Sequence, residues 1–378
     1  MSTDALPLEG VLVVSLEQAV AAPVASCRLV DAGARVIKLE RDSGDFARTY
    51  DTAANGQSAY FAWSNRGKES LVVDIKNPND VALIKRILRK GDVFLQNLAV
   101  GAASRVGLGS DELRKEFPHL ITCDISGYGE EGKYAQMKAY DLLIQAESGL
   151  ISISGGPGEL GRVGVSVVDT ATGISAALAI NEALVRKFKT GLGTSIKLSL
   201  FDVMGEWMSV PLIHHEDKGH GPERIGLAHP SITPYGGFST SDGHVIVISV
   251  QNDHEWISFA NGVLNRPDLV SDPNYVDNAA RMSRREEVDG LVQEFFGKRT
   301  RREMCELLLS ARIAFGELNN MADFARHKQL RRWEIESETG VVSIPAHPDS
   351  NRKSRNLKLP RIGEHSEAIR AEFEKVSI

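Results

Sequence analysis

Residues 11–39 read V-L-V-V-S-L-E-Q-A-V-A-A-P-V-A-S-C-R-L-V-D-A-G-A-R-V-I-K-L. The apolar run 11–16 is typical of a buried parallel strand. The small residues of 19–32 predict a helix, and residues 35–39 predict a second strand directly after it. In this β-α-β unit Arg41 follows the carboxyl end of the second strand, which is the edge of an open α/β sheet where ligands bind.

The rest of the first half repeats this alternation. Further strands are predicted at residues 71–75, 93–95, 120–125 and 195–198, and helices begin at Asn77-Pro78 and span residues 201–215. Pro is favoured at the first position of a helix, which supports the Asn77-Pro78 start. Strands that alternate with helices predict a doubly wound α/β domain.

The chain changes character after residue 217. A polar, turn-rich segment, residues 218–225, predicts a linker, and residues 232–250 carry hairpin signals around the turn Ser241-Asp-Gly. Charged helical patterns follow, and the tail holds a strand-like run at 340–344 and a final helix at 366–375. The predicted domains are therefore a large α/β domain at 1–217, the linker at 218–225, a small α+β domain at 226–325 and a return segment at 326–378.

Composition limits the function classes. The chain has 378 residues and a net charge of −6, which argues against nucleic-acid binding. Cys27, Cys123 and Cys305 form no close pair, so they favour a reducing compartment. No signal-peptide pattern opens the sequence and no apolar run reaches membrane-spanning length, so we expect a cytoplasmic protein without membrane contact.

A second notable stretch, residues 164–176, reads G-V-S-V-V-D-T-A-T-G-I-S-A. Asp169 or Thr170 is a suitable N-cap for the alanine-rich helix that follows. A carboxylate at a helix start faces unpaired N–H groups, so we expect Asp169 to be ionised and oriented. Such a carboxylate is either a plain capping residue or a covalent nucleophile, and this stretch alone leaves both open.

Two motif matches are rejected. Residues 156–161 fit G-x-G-x-x-G but open no helix, so they predict a loop rather than a dinucleotide site. The His and acidic residues at 214–220 match no zinc spacing, so we expect no metal site there.

Basic residues follow several strands of the first domain, and we expect them to converge on an anionic ligand: Arg35, Lys38, Arg41, Lys68, Lys76, Arg105 and Lys138.

An ordered series of motifs resembles the family III CoA-transferases. The series comprises P-L-E-G-V-L-V-V-S-L-E-Q at 7–18, G-A-R-V-I-K-L-E-R at 33–41, N-R-G-K-E-S-L-V-V-D at 65–74, Q-N at 96–97, R-V-G-L at 105–108, Y-D at 140–141, the Asp169 stretch and G-E-H at 363–365. The resemblance covers nearly the whole chain. It implies a Rossmann-like large domain formed by both chain ends, a small inserted domain, and a homodimer whose subunits interlock.

The resemblance also implies site residues. Asp169 matches the catalytic nucleophile, and Gln18 is a plausible positioning donor for the acyl group. The residues that match the CoA-binding site are Ala19, Arg41, Val73, Lys76, Asn97, Leu98, Arg105, Lys138 and Tyr140. Arg and Lys suit the phosphates of CoA, and no cofactor is expected beyond CoA or acyl-CoA as substrate.

The implied reaction is covalent. Asp169 would attack a thioester to give a mixed anhydride and then an aspartyl-CoA thioester, and an acceptor acid would reverse these steps. Backbone N–H groups at the helix start would stabilise the oxyanions.

Two features refine the resemblance. Formyl-CoA transferase has a glycine-run loop, whereas the matching segment here begins at His229 and retains, after Tyr235, only Gly236 and Gly237. This segment is similar to relatives acting on four- and five-carbon dicarboxylates such as itaconate or mesaconate. The superfamily also holds 2-methylacyl-CoA racemases, which use a His where this chain has Tyr140, so a transferase is favoured over a racemase or isomerase. A non-catalytic CoA-binding protein is the remaining alternative, and Asp169 and Gln18 argue against it.

Overall fold

The computed structural model describes residues 5–352 and 358–374. The described residues of Met1–Leu150, Arg162–Val210 and Arg331–Ile378 form one compact unit, and Ile151–Gly161 with Pro211–Leu330 form a second. The sequence analysis placed 151–161 in the large domain. In the structure this segment bonds within the second unit, where the Gly226 N–H donates to the Gly155 carbonyl. Parts of the predicted return segment, 353–357 and 375–378, lie outside the described residues.

The strands and helices are as follows. The strands are β1 (Leu12–Leu16), β2 (Arg35–Glu40), β3 (Glu69–Val72), β4 (Val93–Gln96), β5 (Ile121–Ser126), β6 (Ser195–Ser199), β7 (Tyr235–Ser239), β8 (Val245–Ser249), β9 (Ala314–Glu317), β10 (Arg332–Ser337) and β11 (Gly340–Pro345). The helices are α1 (Ala21–Asp31), α2 (Ala59–Asn65), α3 (Pro78–Leu88), α4 (Ser110–Glu116), α5 (Asp141–Glu147), α6 (Leu150–Ile153), α7 (Val167–Thr190), α8 (Leu200–Trp207), α9 (Ser209–Lys218), α10 (Asp253–Gly262), α11 (Asp268–Ser271), α12 (Asn278–Ser283), α13 (Arg285–Phe296), α14 (Arg301–Ser310), α15 (Met321–Ala325) and α16 (Ser366–Phe373).

The first unit contains a six-stranded parallel sheet in the order β3-β2-β1-β4-β5-β6. One face packs against α1, α7 and α8, and the other packs against α3, α4 and α16. Apolar residues on both faces explain the continuous apolar runs in the sequence. The predicted doubly wound α/β class is confirmed. The strand order reverses between β1 and β4, which is the topological switch point where such sheets bind ligands.

Helices α1 and α7 cross at a glycine. A Cβ atom added to Gly173 would lie 2.6 Å from the Ala21 carbonyl oxygen and 2.7 Å from Cβ of Val24. Only glycine therefore permits this approach. Gln18 lies three residues before Ala21, and Asp169 lies one helical turn before Gly173, so this crossing places both residues at the same end of the helix pair.

The second unit contains a three-stranded antiparallel sheet, β7-β8-β9, whose core is completed by α10, α13 and α14. The predicted hairpin is present, with Gly236 opposite Ile248 and Gly237 opposite Val247.

Three predicted boundaries are wrong. The first helix begins at Ala21 rather than residue 19, because Ala19 has a φ of +63° that no right-handed helix accepts. Strand β3 ends at Val72 rather than residue 75, because the Asp74 N–H donates a hydrogen bond to the Asp80 carboxylate instead of pairing in the sheet. The predicted helix 201–215 is two helices, α8 and α9, that separate at Met208.

No helix among the described residues combines the length and apolar character that crossing a bilayer requires.

Candidate functional site

A cavity of about 600 Å³ opens at the carboxyl ends of β1, β2 and β3. Its lining includes five residues that the sequence analysis assigned to the site: Gln18, Arg41, Val73, Lys76 and Leu98. These residues come from three strand ends and the loop after β4, and the parallel sheet brings them to one edge. The cavity lies in the place where doubly wound sheets bind ligands, and its volume suits a small-molecule site.

Three cations line this cavity. Arg41 and Lys76 are exposed, and within 5–352 and 358–374 their side chains form no ion pair or hydrogen bond. Arg370 of α16 is the third, and it pairs with Asp80 at 2.9 Å and donates to the Val72 carbonyl. Sequence reasoning missed Arg370 because it lies about 300 residues from the strands that it joins. Cations with free donors suit phosphate or carboxylate groups of a ligand.

The other basic residues do not converge on the cavity. Lys38 and Lys68 are completely buried and both contact the Glu17 carboxylate, so the expectation that they face a ligand is wrong. Arg35 is engaged by Glu69 and Glu372. Sequence position places these basic residues in or beside strands β2 and β3 but does not reveal the direction of their side chains.

Arg105 and Lys138 are exposed and are not part of the cavity lining. Their predicted contacts with CoA stay predictions.

Side chains hold the peptide between Gln18 and Ala19 at both its polar atoms. Asn97 Nδ2 donates to the Gln18 carbonyl at 2.8 Å, and Asn97 Oδ1 accepts the Gln18 N–H at 2.9 Å. The Asp45 Oδ1 atom accepts the Ala19 N–H at 3.1 Å. These bonds stabilise Ala19 at its positive φ, a conformation that costs a non-glycine residue about 1–2 kcal/mol. Asn97 thus orients the backbone of Gln18 and does not itself line the cavity.

Asp169 is not the N-cap of its helix. Helix α7 begins at Val167, so Asp169 is its third residue, and the helix start is capped by the side chain of Asp141. Asp141 Oδ1 accepts the N–H groups of Val168 at 2.8 Å and Asp169 at 3.2 Å. Gln145 Nε2 donates to the other Asp141 oxygen at 2.7 Å. The prediction that Asp169 or Thr170 caps this helix is therefore wrong, because the capping side chain is that of Asp141.

The predicted oxyanion hole at this helix start is also wrong. The Val168 and Asp169 N–H groups are taken by Asp141, the Val167 N–H donates to Val165 and the Thr170 N–H donates to Ser166. Each of these four donors has an acceptor, so none is free for a reacting oxygen.

The electrostatics of Asp169 differ from the expectation as well. Burial, together with the negative charge of Asp141, raises the pKa of Asp169 from 3.8 to about 7. The expectation that Asp169 stays ionised is wrong at neutral pH, where burial and the charge of Asp141 leave the group partly protonated. A partly exposed carboxyl group with a pKa near 7 is typical of catalytic groups.

An aromatic cluster lies in the electrostatic range of Asp169, and sequence reasoning missed it. Tyr50 packs against Tyr60, with ring centroids 5.6 Å apart, and against Phe46 at 5.7 Å. Burial and the charges of Asp45 and Asp169 raise the pKa of Tyr50 to about 12. Tyr140 also interacts with Tyr50 and is 58% exposed. The sequence signal for this cluster was three aromatic residues, Phe46, Tyr50 and Tyr60, within 15 positions of one another.

The predicted substrate loop is partly strand. Tyr235, Gly236 and Gly237 belong to β7, where they pair with β8. The His229 ring stacks on the Tyr235 ring with centroids 5.0 Å apart, and the backbone N–H of His229 donates to the backbone carbonyl of Tyr235. These glycines are held extended by the sheet and do not form a glycine-run lid. Their role toward a substrate stays a prediction.

In the part of the chain that the structure describes, no three His, Cys, Asp or Glu residues are grouped to hold a metal ion. The candidate site comprises the cavity, whose Arg41 and Lys76 are unpaired among the described residues, and the carboxyl group of Asp169, which is not among the residues that line that cavity. This arrangement can hold an anionic ligand and present a carboxylate to an electrophile.

Comparisons with known proteins identify the family to which the chain is similar. The family described as CoA-transferase family III matches residues 8–366. The chain is 32% identical to succinate–glutarate CoA-transferase of Agrobacterium fabrum, over 98% of this chain and 96% of that protein. It is 34% identical to human succinyl-CoA:glutarate CoA-transferase, over 96% of this chain and 85% of that protein. A crystal structure of a CAIB/BAIF family protein from Brucella suis is 31% identical with a TM-score of 0.81, and the match covers 98% of this chain and 100% of that one.

Proposed function

Because the chain belongs to CoA-transferase family III, we propose that it moves CoA from an acyl-CoA to a free dicarboxylate through a covalent intermediate on Asp169. The observation that carries the covalent step is the position of Asp169: a partly exposed carboxyl group with a pKa near 7, at the end of the α1–α7 pair that also holds Gln18. A carboxylate whose pKa is raised by burial is more basic and less well solvated. Its ionised form is therefore a better nucleophile than an ordinary aspartate.

The proposed reaction passes through an anhydride and then a thioester on Asp169. The Asp169 carboxylate attacks the thioester carbonyl and expels the CoA thiolate, which leaves a mixed anhydride. The thiolate then attacks the aspartyl carbonyl, the donor acid leaves as a carboxylate, and an aspartyl-CoA thioester remains. The acceptor carboxylate attacks that thioester and the thiolate returns to the acceptor acyl group, which regenerates Asp169. Covalent intermediates on Asp169 divide one difficult exchange into easier steps.

The residues of the cavity have separate roles in this proposal. Arg41 and Lys76 bind the phosphates of CoA, because their charges are unpaired at the cavity wall. Gln18 positions the acyl group, since its backbone is fixed and its side-chain amide forms no hydrogen bond among the described residues. Oxyanion stabilisation falls to groups other than the N–H groups of residues 167–170.

The proposed acids are dicarboxylates of four or five carbons. Succinate and glutarate, in the names of the two relatives, belong to this class. Itaconate and mesaconate belong to it too, and the His229 segment favours them.

A second copy of the chain is the proposed partner. Helix α7 exposes a stripe of apolar side chains on the side away from the sheet: Ile174, Leu178, Val185 and Phe188 are each 48–65% exposed. Such a stripe on a folded surface marks an interaction site, and the family resemblance supplies an interlocked homodimer as its occupant. Light scattering at micromolar concentration should give twice the chain mass of 41.2 kDa.

A chromatographic assay of CoA thioesters tests the function. Succinyl-CoA or acetyl-CoA is offered with glutarate, succinate, itaconate or mesaconate, and formate serves as the control acid. A new dicarboxylyl-CoA that forms with equal loss of donor and no free CoA supports the proposal. Release of free CoA alone would indicate a hydrolase, and proton exchange at C2 of a chiral 2-methylacyl-CoA without transfer would indicate a racemase.

A further inference from the structure

The peptide that joins Gln18 to Ala19 depends on a buried carboxylate. Asp45 lies in the loop after β2, and its Oδ1 atom accepts the Ala19 N–H at 3.1 Å and the Ala47 N–H at 3.0 Å. This is the side-chain bond that fixes the N–H of the peptide, while Asn97 fixes its carbonyl. Without Asp45, the Ala19 N–H would lose its acceptor at a residue held in a left-handed conformation.

Asp45 is itself held by charge. Its Oδ2 atom contacts Lys38 Nζ at 2.8 Å, and Lys38 also contacts Glu17 at 3.3 Å. Lys68 reaches the same Glu17 oxygen at 2.6 Å. The side chains of all four residues are completely buried. The two carboxylates and two ammonium groups balance, so the network is neutral as a whole.

Stability alone does not explain this network. Buried ion pairs often stabilise a fold no better than apolar residues of the same size, because both charges lose their hydration. Fixed geometry is the property that apolar residues could not supply here. The network ends at the Gln18–Ala19 peptide, and Gln18 lines the cavity.

We propose that Asp45, locked by Lys38, is a positioning residue for CoA transfer that acts through Gln18. The inference rests on the role proposed above for Gln18. Asp45 is among the residues that line the cavity, but its side chain is buried and both of its oxygens are occupied, so it acts on the substrate through the Gln18–Ala19 peptide. Asp45 fixes the Gln18–Ala19 peptide. The Gln18 side chain forms no hydrogen bond among the described residues, so it takes its direction from that peptide.

A double-mutant cycle tests this proposal. Asp45→Ala is expected to lower kcat at least tenfold with KM for acyl-CoA within threefold, whereas in a Gln18→Ala background it should lower kcat less than twofold further. A residue that acts through another loses its effect when that other is gone. Equal kcat losses in both backgrounds would overturn the proposal and leave Asp45 a structural residue.

Asp45→Asn keeps an oxygen for the Ala19 N–H and covers the case in which Asp45→Ala does not fold. It should lower kcat less than Asp45→Ala, and again only where Gln18 is present. Asp31→Ala is the matched control, because Asp31 is also buried and paired, with Arg66, but has no bond to residues 18 or 19. Its kcat should stay within twofold of the unchanged protein. No loss of kcat from either Asp45 variant would contradict the proposal.

Hydrogen exchange separates this inference from the proposed function. The Ala19 amide should exchange at least tenfold faster in Asp45→Ala than in the unchanged protein, and not in Asp31→Ala. If the unchanged protein transfers no CoA, the proposed function fails while this measurement still stands. If Ala19 exchange is the same in all three proteins, the positioning role fails whether or not CoA is transferred.

Discussion

The Oδ1 atom of Asp141 accepts the backbone N–H of Asp169 at 3.2 Å, so two carboxyl groups share one helix start. Asp141 takes the stabilising donors, and Asp169 receives burial and a neighbouring negative charge instead. The two carboxyl groups thus acquire different roles: one caps the helix and the other has a pKa near 7. Enzymes assign different chemical roles to neighbouring acids by giving them different environments.

Asp141→Asn should move the pH dependence of transfer to lower pH. The unchanged protein should show a kcat/KM that rises with pH through about 7, because Asp169 must be ionised to attack. Removing the Asp141 charge lowers the pKa of Asp169 while burial still raises it, so we expect the midpoint to fall by about one unit. Pre-steady-state or initial rates from pH 5 to 9 measure it. Glu182→Gln, an exposed change on the same helix, is the control and should leave the midpoint in place.

Asp169→Asn should stabilise the fold at neutral pH. A carboxyl group whose pKa rises from 3.8 to about 7 on folding keeps a proton that the unfolded chain has lost, so the free energy of unfolding falls as pH increases across that range. Asparagine has no carboxyl group to titrate, so Asp169→Asn removes this pH dependence of the free energy of unfolding. We expect a gain of at least about 1 kcal/mol at pH 8, the equivalent of one pKa unit, and a smaller gain at pH 4. Urea titrations at both pH values measure it, and an equal gain at both would contradict the assigned pKa.

Arg41→Ala should raise KM for acyl-CoA about tenfold with kcat nearly unchanged. A charge-assisted hydrogen bond to phosphate contributes about 1.5 kcal/mol, and it is made equally in the ground and transition states. The effect should shrink as salt is added, since screening weakens the same interaction. Arg302→Ala, whose side chain is 86% exposed, is the control. If KM does not change, Arg41 does not bind CoA.

Gly173→Ala should destabilise the chain by about 1–3 kcal/mol. The added Cβ would lie within 2.8 Å of Ala21 and Val24 and would push α1 from α7. Gly205→Ala is the matched control, because its Cβ meets no atom within 4 Å, and alanine there should stabilise α8 by about 0.5–1 kcal/mol. Denaturant titration measures both variants. A neutral Gly173→Ala would show that the two helices can separate without loss.

Much of the first unit follows from local pattern. The apolar runs of β1 and β2 predict a buried parallel pair, and the small residues between them predict the helix that the structure contains as α1. Helix α3 begins at Pro78 as predicted, and the side chain of Asn77 caps it. The alternation of elements suffices for the class of fold.

The site was less accessible from sequence, because its decisive contacts are long-range. Asp141 caps a helix that begins 26 residues later, and Arg370 reaches β3 from the other end of the chain. Lys38 follows the strand pattern that predicts a ligand contact, yet its ammonium group turns into the protein toward Asp45. Sequence spacing indicates which strand end a residue occupies and leaves its direction open.

The most direct test of the account is to trap the intermediate on Asp169. The protein is incubated with succinyl-CoA, treated with hydroxylamine, digested and analysed by peptide mass spectrometry. Hydroxylamine attacks the aspartyl-CoA thioester and releases CoA, so we predict a hydroxamate at Asp169 and at no other residue, and none in Asp169→Asn. Continued transfer by Asp169→Asn at the unchanged rate, or a hydroxamate on another residue, would contradict the account.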